Sequence, residues 1–274
     1  MPLATSELWD DLLSCLDLRP VTGDGSVYEA RNQRLGYHRL FGGQLLAQSV
    51  RAALLSRPDN DVKSLHTLFP RAGRPEEPVR YEVEHHHEGG TFATLTVVAR
   101  QAHGVVATAG VSLHAAEDGP AHQTTEPVPA LLGPEHRVGL HPLPWETRAT
   151  TDLDSPDAGP PEFDLWWRTP TADPELAPAL TAYTTDLTLI GTALRPLKGV
   201  GQRDAQQAFT SAVTSHTVWF HRPFRADDWL LLRQHSPLLA HGRCFGRGDV
   251  FTEDGSLVAS YAQEALLRFA REAV

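Results

Sequence analysis

The chain has 274 residues, of which 41% are hydrophobic and 21% charged, so it is long enough for one large domain or two of roughly 130 residues each. Its net charge of −10 argues against general nucleic-acid binding, which needs a basic surface to neutralise phosphates. No apolar run reaches the roughly 18 residues of a membrane span, and residues 6–11 are polar where a signal peptide is apolar. Cys15 and Cys244 are too few for a disulfide framework. We therefore expect a cytoplasmic protein.

The first 114 residues read as two helices and a run of strands. Leu8, Leu12, Leu13 and Leu16 have helical spacing, which predicts an amphipathic helix over residues 6–17. A short strand is predicted at residues 27–30, and a buried helix at 44–55, directly after two glycines. Four strands then follow as an antiparallel meander, at residues 64–70, 79–86, 92–102 and 105–113.

The second half repeats this order after a proline-rich stretch. Nine of the 21 prolines lie in residues 115–161, which indicates a surface crossover. Short strands are predicted at 145–150 and 163–168, and one helical region at 172–197. A final meander is predicted at 212–221, 229–235, 242–252 and 257–269. We therefore divide the chain into an N-terminal repeat (1–114), a crossover linker (115–142) and a C-terminal repeat (143–274).

A short sequence match supports the repeat. The segment Ser64-Leu65-His66-Thr67-Leu68-Phe69 is similar to Ser215-His216-Thr217-Val218-Trp219-Phe220, with the two His-Thr pairs 150 positions apart. Each segment follows a helix and opens an antiparallel meander. Two half-domains that each bury one helix against one sheet would form a pseudo-dimer within one chain.

Several motifs, in order, resemble those of the acyl-CoA thioesterase II (TesB-like) family. They cover nearly the whole chain outside the crossover: Phe41-Gly42-Gly43-Gln44, Ser64-Leu65-His66-Thr67, Tyr183-Thr184-Thr185-Asp186-Leu187, Trp219-Phe220-His221-Arg222-Pro223-Phe224, Asp228-Trp229-Leu230-Leu231 and Gln263-Glu264. The resemblance implies an α+β double hot-dog fold, in which two tandem repeats each wrap an antiparallel sheet around a central helix. We expect the repeats to join edge to edge, because that junction hides two strand edges.

The resemblance also implies a catalytic set of an Asp, a Thr or Ser hydroxyl, and a Gln that together hold a water. Asp186 and Gln263 match the Asp and the Gln. The hydroxyl position falls on Val213, whose methyl groups can neither donate nor accept a hydrogen bond. Thr214 is adjacent and points to the opposite face of a regular strand, but a bulge would bring it round. We therefore predict Asp186, Gln263 and Thr214 as the catalytic residues.

Four further residues are candidates for binding the substrate. Gly42 and Gly43 precede a helix and could offer backbone amides to a carbonyl oxygen or a phosphate, or could simply form a tight turn. His66 could contact the acyl group, although a lone strand histidine is more often structural. His216 is either a second contact or the repeat partner of His66.

We predict a thioesterase that cleaves acyl-CoA, or an acyl thioester on a carrier protein, and that assembles as a homo-oligomer. The alternatives are a binding protein that holds acyl thioesters without cleaving them, and a lyase or release enzyme for carrier-bound acyl chains; Val213 favours these. No cofactor is expected. No metal is expected either, since in the run 85–87 at most His85 and His87 share a face of the strand.

Overall fold

One antiparallel sheet organises the protein, as seen in a computed structural model that describes residues 5–205 and 207–269. In this part of the chain the sheet has thirteen strands, in the order β1-β2-β4-β5-β6-β3-β10-β13-β12-β11-β9-β8-β7. The strands are β1 (Arg19–Pro20), β2 (Val27–Ala30), β3 (Asp61–Leu68), β4 (Val79–Glu88), β5 (Phe92–Gln101), β6 (Gly104–His114), β7 (Arg137–Val138), β8 (Glu146–Arg148), β9 (Glu162–Arg168), β10 (Phe209–Phe220), β11 (Leu230–Ala240), β12 (Arg243–Thr252) and β13 (Leu257–Phe269). Outward from the central β3–β10 pair, the order is β3-β6-β5-β4-β2 on one side and β10-β13-β12-β11-β9 on the other, so the two halves repeat one arrangement.

In the described ranges, four α-helices pack against the sheet or against one another. They are α1 (Thr5–Leu16), α2 (Gly42–Ser56), α3 (Ala177–Thr185) and α4 (Leu189–Leu194). The central helix α2 lies against α3, so the main contact between the repeats on this face is between helices. Within the described ranges, none of the helices combines the length and the apolar character that crossing a bilayer requires.

The second helical region is divided, where the sequence predicts one segment over 172–197. Helix α3 ends at Thr185, and α4 begins only at Leu189. The hydroxyl of Thr184 donates to the Leu180 carbonyl at 2.7 Å, and the hydroxyl of Thr185 lies 3.1 Å from the Ala182 carbonyl. Such bonds compete with the regular backbone pattern. The break leaves Asp186 at the end of α3, with its carboxyl beside the first repeat.

The predicted edge-to-edge junction is present. Strands β3 and β10 pair antiparallel, with Thr67 opposite His216 and His66 opposite Thr217. The four strands of each predicted meander also form, within a few residues of the expected limits, but only the last three of each set form a meander. The prediction is wrong for the first strands, since β3 pairs with β6 and not with β4, and β10 pairs with β13 and not with β11. The junction makes one continuous sheet, so the inner faces of the two repeats form one surface.

Strand bulges set the true register of the two repeats. The pairing of β3 with β6 skips Lys63, and the pairing of β10 with β13 skips Thr214. These bulged residues lie 151 positions apart, which is one more than the separation of the two His-Thr pairs. Structurally, therefore, His216 corresponds to Leu65, and His66 corresponds to Thr217. The prediction that His66 and His216 are repeat partners is wrong because matching bulges, and not matching letters, align the strands.

Buried amide side chains attach the loop between β2 and α2 to both repeats. The Gln33 backbone N–H donates to Oε1 of Gln44, on α2, at 2.9 Å. The Tyr183 hydroxyl, on α3, donates to Oε1 of Gln33 at 2.7 Å. This loop ends at Phe41, immediately before the helix that meets Asp186.

Candidate functional site

Asp186 lies at the contact between the repeats and is only 5% exposed. Its Oδ2 accepts a hydrogen bond of 2.9 Å from the backbone N–H of Gly43, in the first turn of α2. Asp186 thus caps a helix of the other repeat, where a negative charge is favoured by the helix dipole. Its Oδ1 is buried and has no hydrogen-bond partner. One carboxylate oxygen fixes the side chain, and the other remains available.

Burial raises the pKa of Asp186 from 3.8 to about 7. The Gly43 N–H and the positive charge of Arg39 oppose this rise and do not cancel it. Arg39 is held nearby because its Nη2 donates to the Ser211 carbonyl at 2.7 Å. A carboxyl group that titrates near neutral pH is suited to accept a proton from water and return it.

Gly42 and Gly43 are required by the close approach of the two repeats. A Cβ on Gly42 would lie 2.8 Å from Oδ2 of Asp186, and one on Gly43 would lie 2.6 Å from the Tyr183 carbonyl oxygen. The Gly43 N–H, a candidate donor to substrate in the sequence analysis, here donates to Asp186. The two glycines therefore let the start of α2 approach Asp186 closely, and the Gly43 N–H holds the carboxylate in place.

We expect Gly43→Ala to lower the free energy of unfolding by about 1–3 kcal/mol, the usual range for overpacking, although alanine is the better helix former. Urea unfolding of both proteins measures the difference. Gly119→Ala is the matched control, since a Cβ there meets nothing within 4 Å. Equal stability of the Gly43→Ala and wild-type proteins would show that the close packing around Gly43 is not needed.

Gln263 and His216 form a buried polar pair on adjacent strands. They lie opposite each other on β13 and β10, with His216 Nδ1 and Gln263 Oε1 separated by 2.9 Å. On its other side, Nε2 of His216 is 3.0 Å from Oγ1 of Thr185, the residue before Asp186. The Tyr261 ring stacks on the imidazole, with 5.9 Å between centroids. The chain of contacts therefore leads from Asp186 through Thr185 and His216 to Gln263.

This pair leaves a second unpartnered atom in the site. Gln263 is 1% exposed, and its Nε2 is buried without a hydrogen-bond partner. Burial lowers the pKa of His216 to about 4, and the bond to Gln263 opposes this only in part. His216 is therefore neutral at physiological pH. A free donor, Nε2 of Gln263, and a free acceptor, Oδ1 of Asp186, are the groups that one water molecule needs.

The bulge at Thr214 decides which residues of β10 face the site. Val213 pairs with Ala265 and His216 pairs with Gln263, so the bulge places both on the inner face. Ser215 pairs with Glu264 and faces the outer side. The predicted bulge is thus present, but the hydroxyl of Thr214 donates to the Glu264 carbonyl at 3.1 Å. No hydrogen bond joins Thr214 to Asp186 or Gln263 in the described residues.

His66 lies on the outer face of the sheet, opposite to the side of His216. Its ring is near the hydroxyls of Thr217 and Ser64, at 3.4 and 3.2 Å, and packs edge-on against Trp219. The structure therefore does not bring His66 together with Asp186 and Gln263. Thr67 takes its place on the inner face: it lies opposite His216, and its buried Oγ1 has no partner.

Sequence reasoning did not find Thr67, Thr185 or Arg39 as site residues. Thr185 could have been found from its position in the Tyr-Thr-Thr-Asp motif, directly before Asp186. Thr67 is in the repeated His-Thr pair, but its face depends on the bulge at Lys63. Arg39 carries no motif, and it reaches the site through a contact 172 residues away along the chain.

Sequence models of the acyl-CoA thioesterase N-terminal and C-terminal domains match residues 31–114 and 114–267. The chain belongs to the acyl-CoA thioesterase family. It is 31% identical to "Acyl-CoA thioesterase 2" of Haemophilus influenzae, over 96% of this chain and 99% of that protein.

Solved structures agree with this family. The chain superposes on the acyl-CoA thioesterase II TesB2 of Mycobacterium marinum with a TM-score of 0.75 and 31% identity, covering 95% of this chain and 98% of the other. A hot-dog protein of unknown function from Alicyclobacillus acidocaldarius gives a TM-score of 0.75 at 20% identity, over 94% and 98% of the two chains. The predicted TesB-like family, the thioesterase class and the double hot-dog fold are confirmed.

Proposed function

We propose that this acyl-CoA thioesterase family member hydrolyses acyl-CoA to a free acid and CoA with a water molecule held by Asp186 and Gln263. The proposal rests on two buried atoms without hydrogen-bond partners: Oδ1 of Asp186, which is an acceptor, and Nε2 of Gln263, which is a donor. Buried polar groups are rarely left without partners unless a ligand or a water completes them. Membership of the family supplies the substrate class.

Gln263 and Asp186 act on different atoms of the water. The Gln263 amide donates to the water oxygen, and Oδ1 of Asp186 accepts one of its protons, which leaves a lone pair for attack on the thioester carbonyl carbon. The water oxygen bonds to that carbon, the carbon–sulfur bond breaks, and the thiolate leaves. Asp186 returns the proton to the sulfur. Because a thiolate is a fair leaving group, the scheme needs no metal.

Val213 is the observation that favours the rival function, a protein that binds acyl thioesters without cleaving them. It lies on the inner face of β10 and packs against the apolar cluster under α4, so it brings no hydroxyl to the water. In the proposed enzyme, Thr67 offers a buried hydroxyl on the same face. We propose that Thr67 contacts the water or the substrate.

Val213→Thr tests whether a hydroxyl at this position limits the rate. We expect hydrolysis to rise by about 10-fold or more, since a single positioned polar group is worth about 10²–10³ in rate at best. Thr67→Val should lower it. The measurement is kcat with a fixed acyl-CoA, and Val218→Thr, on the same inner face two residues past His216, is the control for adding a hydroxyl to β10. An unchanged kcat in Val213→Thr would mean that the hydroxyl is not limiting.

Release of free thiol from a panel of short, long and aromatic acyl-CoAs tests the function itself. The wild-type protein should release thiol from at least one of them, and Asp186→Asn should release it about 10²–10⁴-fold more slowly. Saturable binding of acyl-CoA without thiol release would overturn the proposal and establish the binding protein instead.

A further inference from the structure

His216 is a buried titratable group that the scheme above does not use. It touches no solvent, and its two ring nitrogens face Gln263 Oε1 and Thr185 Oγ1 at 2.9 and 3.0 Å. Neither contact is to a group that reacts with the thioester. Its effect on the reaction, if any, must therefore pass through its neighbours.

Two proton arrangements fit this contact chain, because the hydroxyl of Thr185 lies within hydrogen-bond distance of both Nε2 of His216 and the Ala182 carbonyl, at 3.0 and 3.1 Å. With Oε1 of Gln263 toward the ring, as in this structure, Oε1 can only accept, so Nδ1 of His216 carries the proton and the Thr185 hydroxyl donates to Nε2. With the amide reversed, the Gln263 NH₂ would donate to Nδ1, Nε2–H would donate to Thr185, and the Thr185 hydroxyl would donate to Ala182. With Oε1 engaged by the ring, the NH₂ of Gln263 is the part of the amide left for another partner, and its Nε2 has none among the described residues.

If the amide were reversed, the site would change character. An unpartnered Oε1 could only accept the second proton of the water. The amide of Gln263 would then no longer donate to the water oxygen. The orientation of this amide therefore decides whether Gln263 donates to the water oxygen, and it is linked to which ring nitrogen of His216 carries the proton.

The two repeats provide an internal comparison. In the first repeat, the positions equivalent to His216 and Gln263 are Leu65 and Val111, which also lie opposite each other and are also buried. One repeat thus has an apolar pair where the other has a polar pair. Burying an imidazole and an amide costs more free energy than burying two aliphatic side chains. Both polar residues occur together, and only in the repeat that carries Asp186.

We infer that His216 is a positioning residue for thioester hydrolysis, which fixes the Gln263 amide with its NH₂ toward the water through the chain Thr185–His216–Gln263. The inference rests on the proposed function, and it adds a residue that does not touch the substrate. Thr185 is a second positioning residue, because the hydrogen bond from its hydroxyl to Nε2 of His216 keeps that nitrogen unprotonated.

Kinetics of His216→Leu and His216→Asn, with and without Gln263→Ala, test this inference. We expect His216→Leu to lower kcat by about 10–100-fold, by analogy with residues that orient the ligands of a metal, with little change in KM. Asn places a donor near the position of Nδ1, so His216→Asn should recover most of the loss. In the Gln263→Ala background, His216→Leu should have no further effect, since the two residues act as one unit.

Two measurements separate this role from a purely structural one. The double variant His216→Leu, Gln263→Val reproduces the Leu65–Val111 pair of the first repeat, so it should fold and still lack activity. Histidine ¹⁵N NMR of the wild-type protein, assigned by difference from His216→Asn, should show a neutral ring protonated on Nδ1.

Three outcomes would overturn the inference. They are an equal loss from His216→Leu in the wild-type and Gln263→Ala backgrounds, a His216 ring protonated on Nε2, and full activity of His216→Leu. Activity of the wild-type protein with loss in Gln263→Ala would, in each case, leave the proposed function standing. If the wild-type protein cleaves no acyl-CoA, the proposed function fails, and the NMR result still decides the contact chain.

Discussion

Asp186→Asn is expected to lower hydrolysis by about 10²–10⁴-fold and, at the same time, to stabilise the protein at pH 8. The loss of activity has the size usually seen when a general base is removed. Asparagine can still accept the Gly43 N–H, so the cap on α2 is kept. Only the ability to take a proton disappears.

The stabilisation follows from the direction of the pKa shift. Burial raises the pKa of Asp186 from 3.8 to about 7, so the folded protein holds this proton more tightly than the unfolded chain does. Stability is therefore highest while the carboxyl is protonated in both states, and falls as the pH rises from about 4 to about 7. At about 1.36 kcal/mol per pKa unit, the ionised carboxylate costs the folded state about 4 kcal/mol at pH 8.

Urea unfolding of wild-type and Asp186→Asn proteins at pH 5 and pH 8 measures this cost. The variant should be more stable at both, by about 4 kcal/mol at pH 8 and by less than half of that at pH 5. His216 titrates alike in both proteins and cancels in the difference. Asp164→Asn is the control: burial also raises that pKa, but the carboxylate is paired with Arg233. An Asp186→Asn protein less stable than wild type at pH 8 would contradict the expectation.

Much of the fold could be predicted from sequence because its signals are local. Alternating apolar residues and turn residues indicate the strands of each meander, and the helical spacing of leucines indicates α1 and α2. The division between α3 and α4 could not be predicted in this way. The threonine hydroxyls near the break lie against helix carbonyls, but residues of this kind are found in continuous helices as well.

The candidate site was only partly accessible for a related reason. Asp186 and Gln263 were found through motifs, but the face on which each neighbour lies depends on bulges of one residue. Without the bulge at Lys63 the equivalent positions of the repeats shift by one, and His66 is mistaken for the partner of His216. A slip of one residue exchanges the inner and outer faces of a strand. Letter matching cannot detect such a slip.

The pH dependence of hydrolysis should report Asp186 directly. Only the ionised carboxylate can accept the water's proton, so we expect kcat/KM to be constant above about pH 7 and to fall about tenfold per pH unit below it. At pH 5 the rate should be about 100-fold below the plateau. His216, whose pKa burial lowers to about 4, stays neutral over this range, so the orientation of the Gln263 amide should not change.

Loss of the thioester's ultraviolet absorbance, followed from pH 5 to pH 9, measures this profile without a thiol reagent whose own rate varies with pH. An S-acyl pantetheine should be run beside acyl-CoA, because it has no phosphate groups that titrate near pH 6–7.

A step near pH 7 with both substrates assigns the ionisation to the protein, and circular dichroism at each pH excludes unfolding. The step should be absent from the residual rate of Asp186→Asn. A flat wild-type profile would contradict a base with the raised pKa that burial gives Asp186.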